Sequence, residues 1–112
     1  MGNNNIIIKI KIMVQIEPIK IWSNGKTLNA VFFELQSVFD NLKDTATFYY
    51  KLLSTDLITL ADGNLTMIEP DYTLYSTSTD SNAFAYEWAA IQLNITIINF
   101  YGERTSAENT EK

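Results

Sequence analysis

Thirteen carboxylates, eight basic side chains and a stock of hydroxyls are the groups this chain has for acid–base or ligand chemistry, because histidine and cysteine are absent. That absence removes imidazole catalysis, thiol nucleophiles, disulfides and cysteine–histidine zinc centres together. The carboxylates to weigh are Asp62, Glu69, Asp71 and Asp80. Glycoside hydrolysis needs two such groups facing each other across a sugar. Each of these instead lies in or beside a turn signal, where an Asp side chain bonds to its local backbone. Asp62-Gly63-Asn64 shares part of a calcium-loop pattern, but Ile58 and Leu60 stand where alternate acidic ligands belong. The expectation is a chain with no catalytic residue, no metal site, no cofactor and no small-molecule substrate.

Aromatic side chains are the other chemical resource: six Phe, six Tyr and two Trp. Most fall on alternating positions or on a helical stripe, which assigns them to a core. Tyr72 and Tyr75 differ, because they open a polar, hydroxyl-rich stretch, Tyr72–Thr79, read as an exposed loop. Exposed rings there would suit stacking on a sugar or docking on another surface.

The elements that must position these groups are mainly strands. Ile6, Ile8, Ile10, Ile12, Val14 and Ile16 repeat with period two, which predicts one long strand. Its second face carries Ile7, Lys9, Lys11 and Met13. Such a strand is either part of the core or is completed by a neighbouring chain through strand addition. These four residues, with Tyr72 and Tyr75, form the predicted protein interface. Pro18 lacks a ladder donor and marks a bend or an edge. Asn24-Gly25 predicts a type I′ hairpin, since both residues tolerate positive φ. A strand over Thr27–Gln36 follows, with a helix over Ala30–Leu42 as the alternative; the β-branched and aromatic content favours the strand. Thr45–Leu53 alternates again. Leu57–Ala61 and Asn64–Ile68 flank Asp62-Gly63, read as a second hairpin turn. Asp80 or Ser81 caps a helix to Leu93, with Phe84, Trp88 and Ile91 as its core stripe, widened by Ala85, Ala89 and Leu93. Asn94 suits the left-handed end of that helix. A last strand takes in Ile95, Ile97 and Phe100, and the polar Gly102–Lys112 reads as a flexible tail or a segment that orders on binding.

A length of 112 residues fits one domain, divided as a β-rich body over 1–101 and the tail over 102–112. The net charge of −5 is uneven: residues 1–60 carry six Lys against five acids, and residues 61–112 carry Arg104 and Lys112 against eight. No basic cluster exists to displace counterions, which argues against nucleic acid as a partner. Lys9 and Lys11 interrupt the apolar start, which is far shorter than the roughly 20 residues of a membrane span. With no export pattern in the first residues, synthesis in the cytoplasm is expected and the sequons at Asn64 and Asn94 are incidental.

One family resemblance rests on particular stretches. Leu60-Ala61-Asp62-Gly63-Asn64-Leu65-Thr66-Met67, then Glu69-Pro70-Asp71-Tyr72, then Ala85-Tyr86-Glu87-Trp88-Ala89-Ala90-Ile91-Gln92-Leu93-Asn94 resemble small proteins of tailed bacteriophages that infect Bacteroides-like bacteria. The likeness spans residues 60–97, with Tyr75 as the aromatic after Asp71-Tyr72. It implies a virion component, located in the particle after synthesis in the host cytoplasm, whose partners are other virion proteins and copies of itself.

The fold expected from the residues is α+β: a mainly antiparallel sheet or sandwich of about six strands, with one C-terminal helix over about 81–93 packed on it. The function expected is that of a non-enzymatic structural subunit of a phage particle, in capsid, neck or tail, acting through protein–protein contacts. The alternatives are a carbohydrate- or surface-binding module using Tyr72 and Tyr75, and a small phage protein that binds and inhibits a host protein.

Overall fold

Asn24 and Gly25 take left-handed backbone, with φ of 50° and 86°, and close a two-residue hairpin between Ser23 and Lys26. Around this turn the computed structural model, which describes residues 9–10, 14–100 and 104–105, builds an antiparallel sheet. The strands of the described residues are β1 (Lys9–Ile10), β2 (Val14–Ser23), β3 (Lys26–Asp40), β4 (Ala46–Leu53), β5 (Thr59–Met67), β6 (Ile97–Phe100) and β7 (Arg104–Thr105). Two helices, α1 (Asp71–Ser76) and α2 (Ser81–Leu93), lie between β5 and β6 in the chain. Five strands form one sheet in the order β5-β4-β3-β2-β6, and β1 pairs with β7 alone. The helices therefore connect the two outermost strands of the sheet.

The β-rich, antiparallel character follows from the alternation along each strand, and one helical segment more than expected is present. β3 is a strand of 15 residues, longer than Thr27–Gln36 and not the alternative helix. At Pro18 the ladder is interrupted as its missing N–H requires. β2 advances from Gln15 to Ile19 while its partner moves only from Phe32 to Ala30. On the other side, β6 pairs with β2 no further than Ile16.

The predicted Asp62-Gly63 turn is corrected. Both residues lie inside β5, Asp62 opposite Lys51 and Gly63 opposite Tyr50. Glycine is needed there for space: a Cβ would fall 2.8 Å from the Tyr50 hydroxyl and 3.0 Å from its ring. The chain reverses earlier, at residues 54–58. There the Ser54 hydroxyl accepts the N–H of Asp56 and of Ile58, and Leu57 takes a φ of 65°.

The polar loop expected over Tyr72–Thr79 is also corrected, since its first part belongs to α1. The Glu69 carboxylate accepts both the backbone N–H and the hydroxyl of Thr73, which anchors that short helix. α2 matches its prediction at both ends. The Asp80 side chain accepts the N–H of Ala83 at 3.0 Å, and Asn94 takes φ 58°, ψ 47°. Its buried face, however, is centred on Ala85 and Ala89, with Trp88 and Tyr86 reaching around the two flanks. Small residues on that line let the helix sit close to the sheet. Ile91 falls outside the arc and is 75% exposed, which corrects its place in the predicted stripe.

The core is one cluster. Val14, Ile16, Phe33, Phe48, Leu52 and Met67 from the sheet meet Tyr72, Ala85, Tyr86, Trp88 and Ala89 from the helices. The sheet coils far enough that β2 approaches β5 although two strands separate them. The β1–β7 pair follows the register of β2 with β6. Residue numbers add to one value in Lys9↔Thr105, Ile10↔Arg104, Val14↔Phe100 and Gln15↔Asn99. The described backbone of Arg104–Thr105, within the segment read as a tail, is thus strand-paired.

Candidate interaction surface

The groups singled out for chemistry are engaged in holding the fold. Asp71, in the first turn of α1, accepts the Trp88 indole N–H at 3.1 Å, tying α1 to α2. Asp80 caps α2, and Glu69 holds Thr73. Asp62 accepts the Tyr49 hydroxyl across the β4–β5 pair. That bond, more than desolvation, raises the Tyr49 phenol above its ordinary pKa. Among the described residues no group of acidic side chains is arranged to hold a metal ion.

Tyr72 is placed by α1 against the far end of β3. Its ring is 4% exposed and its hydroxyl donates to Asp40 at 2.7 Å. Asp40 also accepts the Leu42 N–H at the start of the β3–β4 loop. The bond to Asp40, followed by desolvation, pushes the phenol up to about 12. Tyr75 is half-buried, its ring edge-on to Phe48 with centroids 5.6 Å apart. For Tyr75, unlike Tyr72, burial is the first cause of the raised pKa. The expectation that these two tyrosines stand exposed is therefore corrected: Tyr72 is buried with its hydroxyl on Asp40 of β3, and Tyr75 is half-buried against Phe48. Of the other predicted interface residues, Ile7, Lys11 and Met13 lie outside the described residues, and Lys9 is in β1.

The sheet face that carries Glu34, Gln36, Thr47, Tyr49, Lys51, Asp62, Asn64 and Thr66 is tiled with polar groups. Cross-strand neighbours run Glu34–Lys51–Asp62 in one row and Gln36–Tyr49–Asn64 in the next. Opposite charges alternate along the first row, an arrangement that supports strand pairing. Thr47 and Thr66 hydroxyls meet at 3.2 Å, and the Lys51 ammonium lies 6.0 Å from the Tyr49 ring centre.

One exposed apolar group, Phe39, lies opposite Thr47 at the end of this face, and others lie elsewhere. β4 pairs with β3 only from Phe32 onward, and β6 pairs with β2 only as far as Ile16. From Ile19 to Ala30 the two strands thus pair with each other alone and extend as a ribbon beyond the sheet. Register and alternation divide this ribbon into two faces. Ile19 and Ile21 pack toward the core margin. Lys20, Trp22, Thr27 and Asn29 share the opposite face, and all four are exposed. Trp22 is 73% exposed near the end of β2. Its exposure follows from strand alternation: Ile19 and Ile21 turn to the core margin, so Lys20 and Trp22, which alternate with them, turn outward. On the helical layer, Glu87 and Ile91 lie one turn apart on the solvent face of α2.

Among the described residues no helix is long and apolar enough to cross a membrane. No family model, curated protein or solved structure matches the chain.

Proposed function

We propose that this chain is a non-enzymatic structural subunit of a bacteriophage particle, working through contacts with other virion proteins and with copies of itself. The observation that carries the proposal is the ribbon of β2 and β3, which extends past the sheet and offers a tryptophan to solvent. A large exposed aromatic on a projecting element is characteristic of a binding anchor. Asp62, Glu69, Asp71 and Asp80 give the same reading further support, since each is occupied by a backbone or side-chain donor within the fold. The carbohydrate-binding alternative loses its motive with the packing of Tyr72 and Tyr75 against Phe48 and β3.

The test is mass spectrometry of purified particles from the phage that encodes the chain. Recovery at many copies per particle is the expected result. A chain abundant in infected cells but missing from purified particles would remove the structural reading.

A further inference from the structure

We infer that the Lys20–Trp22 face of the β2–β3 ribbon docks on the Glu87–Ile91 stripe of α2 in a second copy of this chain. The inference rests on the structural-subunit reading and names the surface through which copies would meet. Its first support is charge. The ribbon from Ile19 to Asn29 carries Lys20 and Lys26 and no acid, while residues 69–94, which hold both helices, carry Glu69, Asp71, Asp80 and Glu87 and no base. Its second support is the position of the exposed apolar groups. Trp22 stands beside Lys20 on one ribbon face, at i and i+2 on β2. Ile91 stands beside Glu87 on one helix face, at i and i+4. Each surface thus places one large apolar side chain next to one charge, and the charges are opposite.

Trp22 would lie over Ile91 while the Lys20 ammonium meets the Glu87 carboxylate. The two surfaces differ and belong to one chain, and we take the contact as heterologous, one per pair of copies, so that it propagates from copy to copy into a ring or a filament. One strand pair on two turns of helix covers less than the roughly 800 Å² per partner of a standard stable interface. A single contact is therefore weak, and repetition in an array supplies the avidity. A subunit that stays soluble before assembly and adds to a growing array needs a contact of this strength.

Sedimentation velocity of the purified full chain over a rising concentration series tests the contact. The expected result is reversible, concentration-dependent association beyond a dimer, with a dissociation constant on the order of 10–100 μM. Trp22→Ala and Ile91→Ala each weaken it at least about thirtyfold, as loss of an anchor does. Lys20→Glu and Glu87→Lys each weaken it about tenfold, and the double reversal restores it. Circular dichroism of each variant confirms that the fold is kept, since all four side chains are exposed. A wild-type chain that remains monomeric throughout the series, or a double reversal no better than its singles, overturns the inference. Recovery of a monomeric chain from particles would leave the structural-subunit reading intact and defeat only the contact. Self-association of a chain missing from particles would do the reverse.

Discussion

The Tyr86 hydroxyl lies 2.9 Å from the backbone nitrogen of Leu35 and 3.4 Å from its carbonyl oxygen. One α2 side chain thus meets both polar backbone groups of a β3 residue 51 positions away in sequence. The site lies where described pairing of β2 with β3 ends, at Val14↔Phe33. Tyr86 is wedged there, with Phe33 and Phe100 edge-on at centroid distances of 5.4 and 5.7 Å. A hydroxyl at that point does for Leu35 what a neighbouring strand does elsewhere in the sheet.

Tyr86→Phe keeps the ring packing and removes this bond. The Leu35 amide then loses an acceptor in a partly buried place, at a cost of about 1–3 kcal/mol. Urea denaturation gives the stability change, and amide hydrogen exchange locates it. Unchanged protection of the Leu35 amide in the variant would show that the hydroxyl does not hold this strand.

Gly63→Ala places a methyl group against Tyr50. Overpacking of this kind costs about 1–3 kcal/mol. In a Tyr50→Leu background the same substitution should cost much less, because the obstructing ring is gone. A thermodynamic cycle from the four denaturation curves measures the coupling. Additive effects would mean that Gly63 is required for some reason other than the Tyr50 ring.

The Tyr72–Asp40 bond makes an alkaline prediction. The folded phenol is pushed up to about 12 from an ordinary 10.0, so the fold favours the protonated form. Its contribution is fully present below the unfolded pKa and is lost as pH rises through the folded one. Melting temperature should therefore fall between about pH 10 and pH 12. In Tyr72→Phe the fall over this window should be shallower, although Tyr49, Tyr75 and Tyr86 are raised too and keep part of it. Spectrophotometric titration of the phenols provides the check. Identical alkaline melting profiles for both proteins would refute the assignment.

Asp80→Ala removes the acceptor for the Ala83 N–H at the start of α2. The loss should be about 1 kcal/mol, with Asp80→Asn recovering most of it, since Asn caps nearly as well as Asp. Thermal melts of the three proteins decide this. A variant Asp80→Ala as stable as the parent would mean that tertiary packing alone fixes the helix start.

Several elements were legible in the sequence because their causes are local. Asn24-Gly25 turns the chain through its own φ preferences, Asp80 caps α2 within one helical turn, and Asn94 ends it in the left-handed region. The same locality explains the interruption at Pro18, where the missing N–H belongs to the residue itself. Strand alternation identified β3 and β4 because each places apolar residues on a core-facing side. In the candidate surface, Lys20 and Trp22 could be read as lying on one side of a strand, but not as the exposed side.

Other features depend on partners distant in sequence, and only the tertiary structure decided them. Asp62-Gly63 has the composition of a turn, yet pairing with β4 keeps it extended, and the Tyr50 ring occupies the space that a side chain at Gly63 would need. Tyr72 opens a polar stretch, yet its hydroxyl finds Asp40 across 32 positions and its ring is buried. Ile91 fits a helical stripe with Phe84 and Trp88, yet the sheet receives the helix along Ala85 and Ala89 and leaves Ile91 in solvent. The physical distinction is between backbone preferences, which act within a few residues, and burial, which depends on the surface that another element presents. The sequence by itself therefore determined where this chain turns, caps and alternates, and packing of the helices on the coiled sheet determined which aromatic and aliphatic side chains face outward.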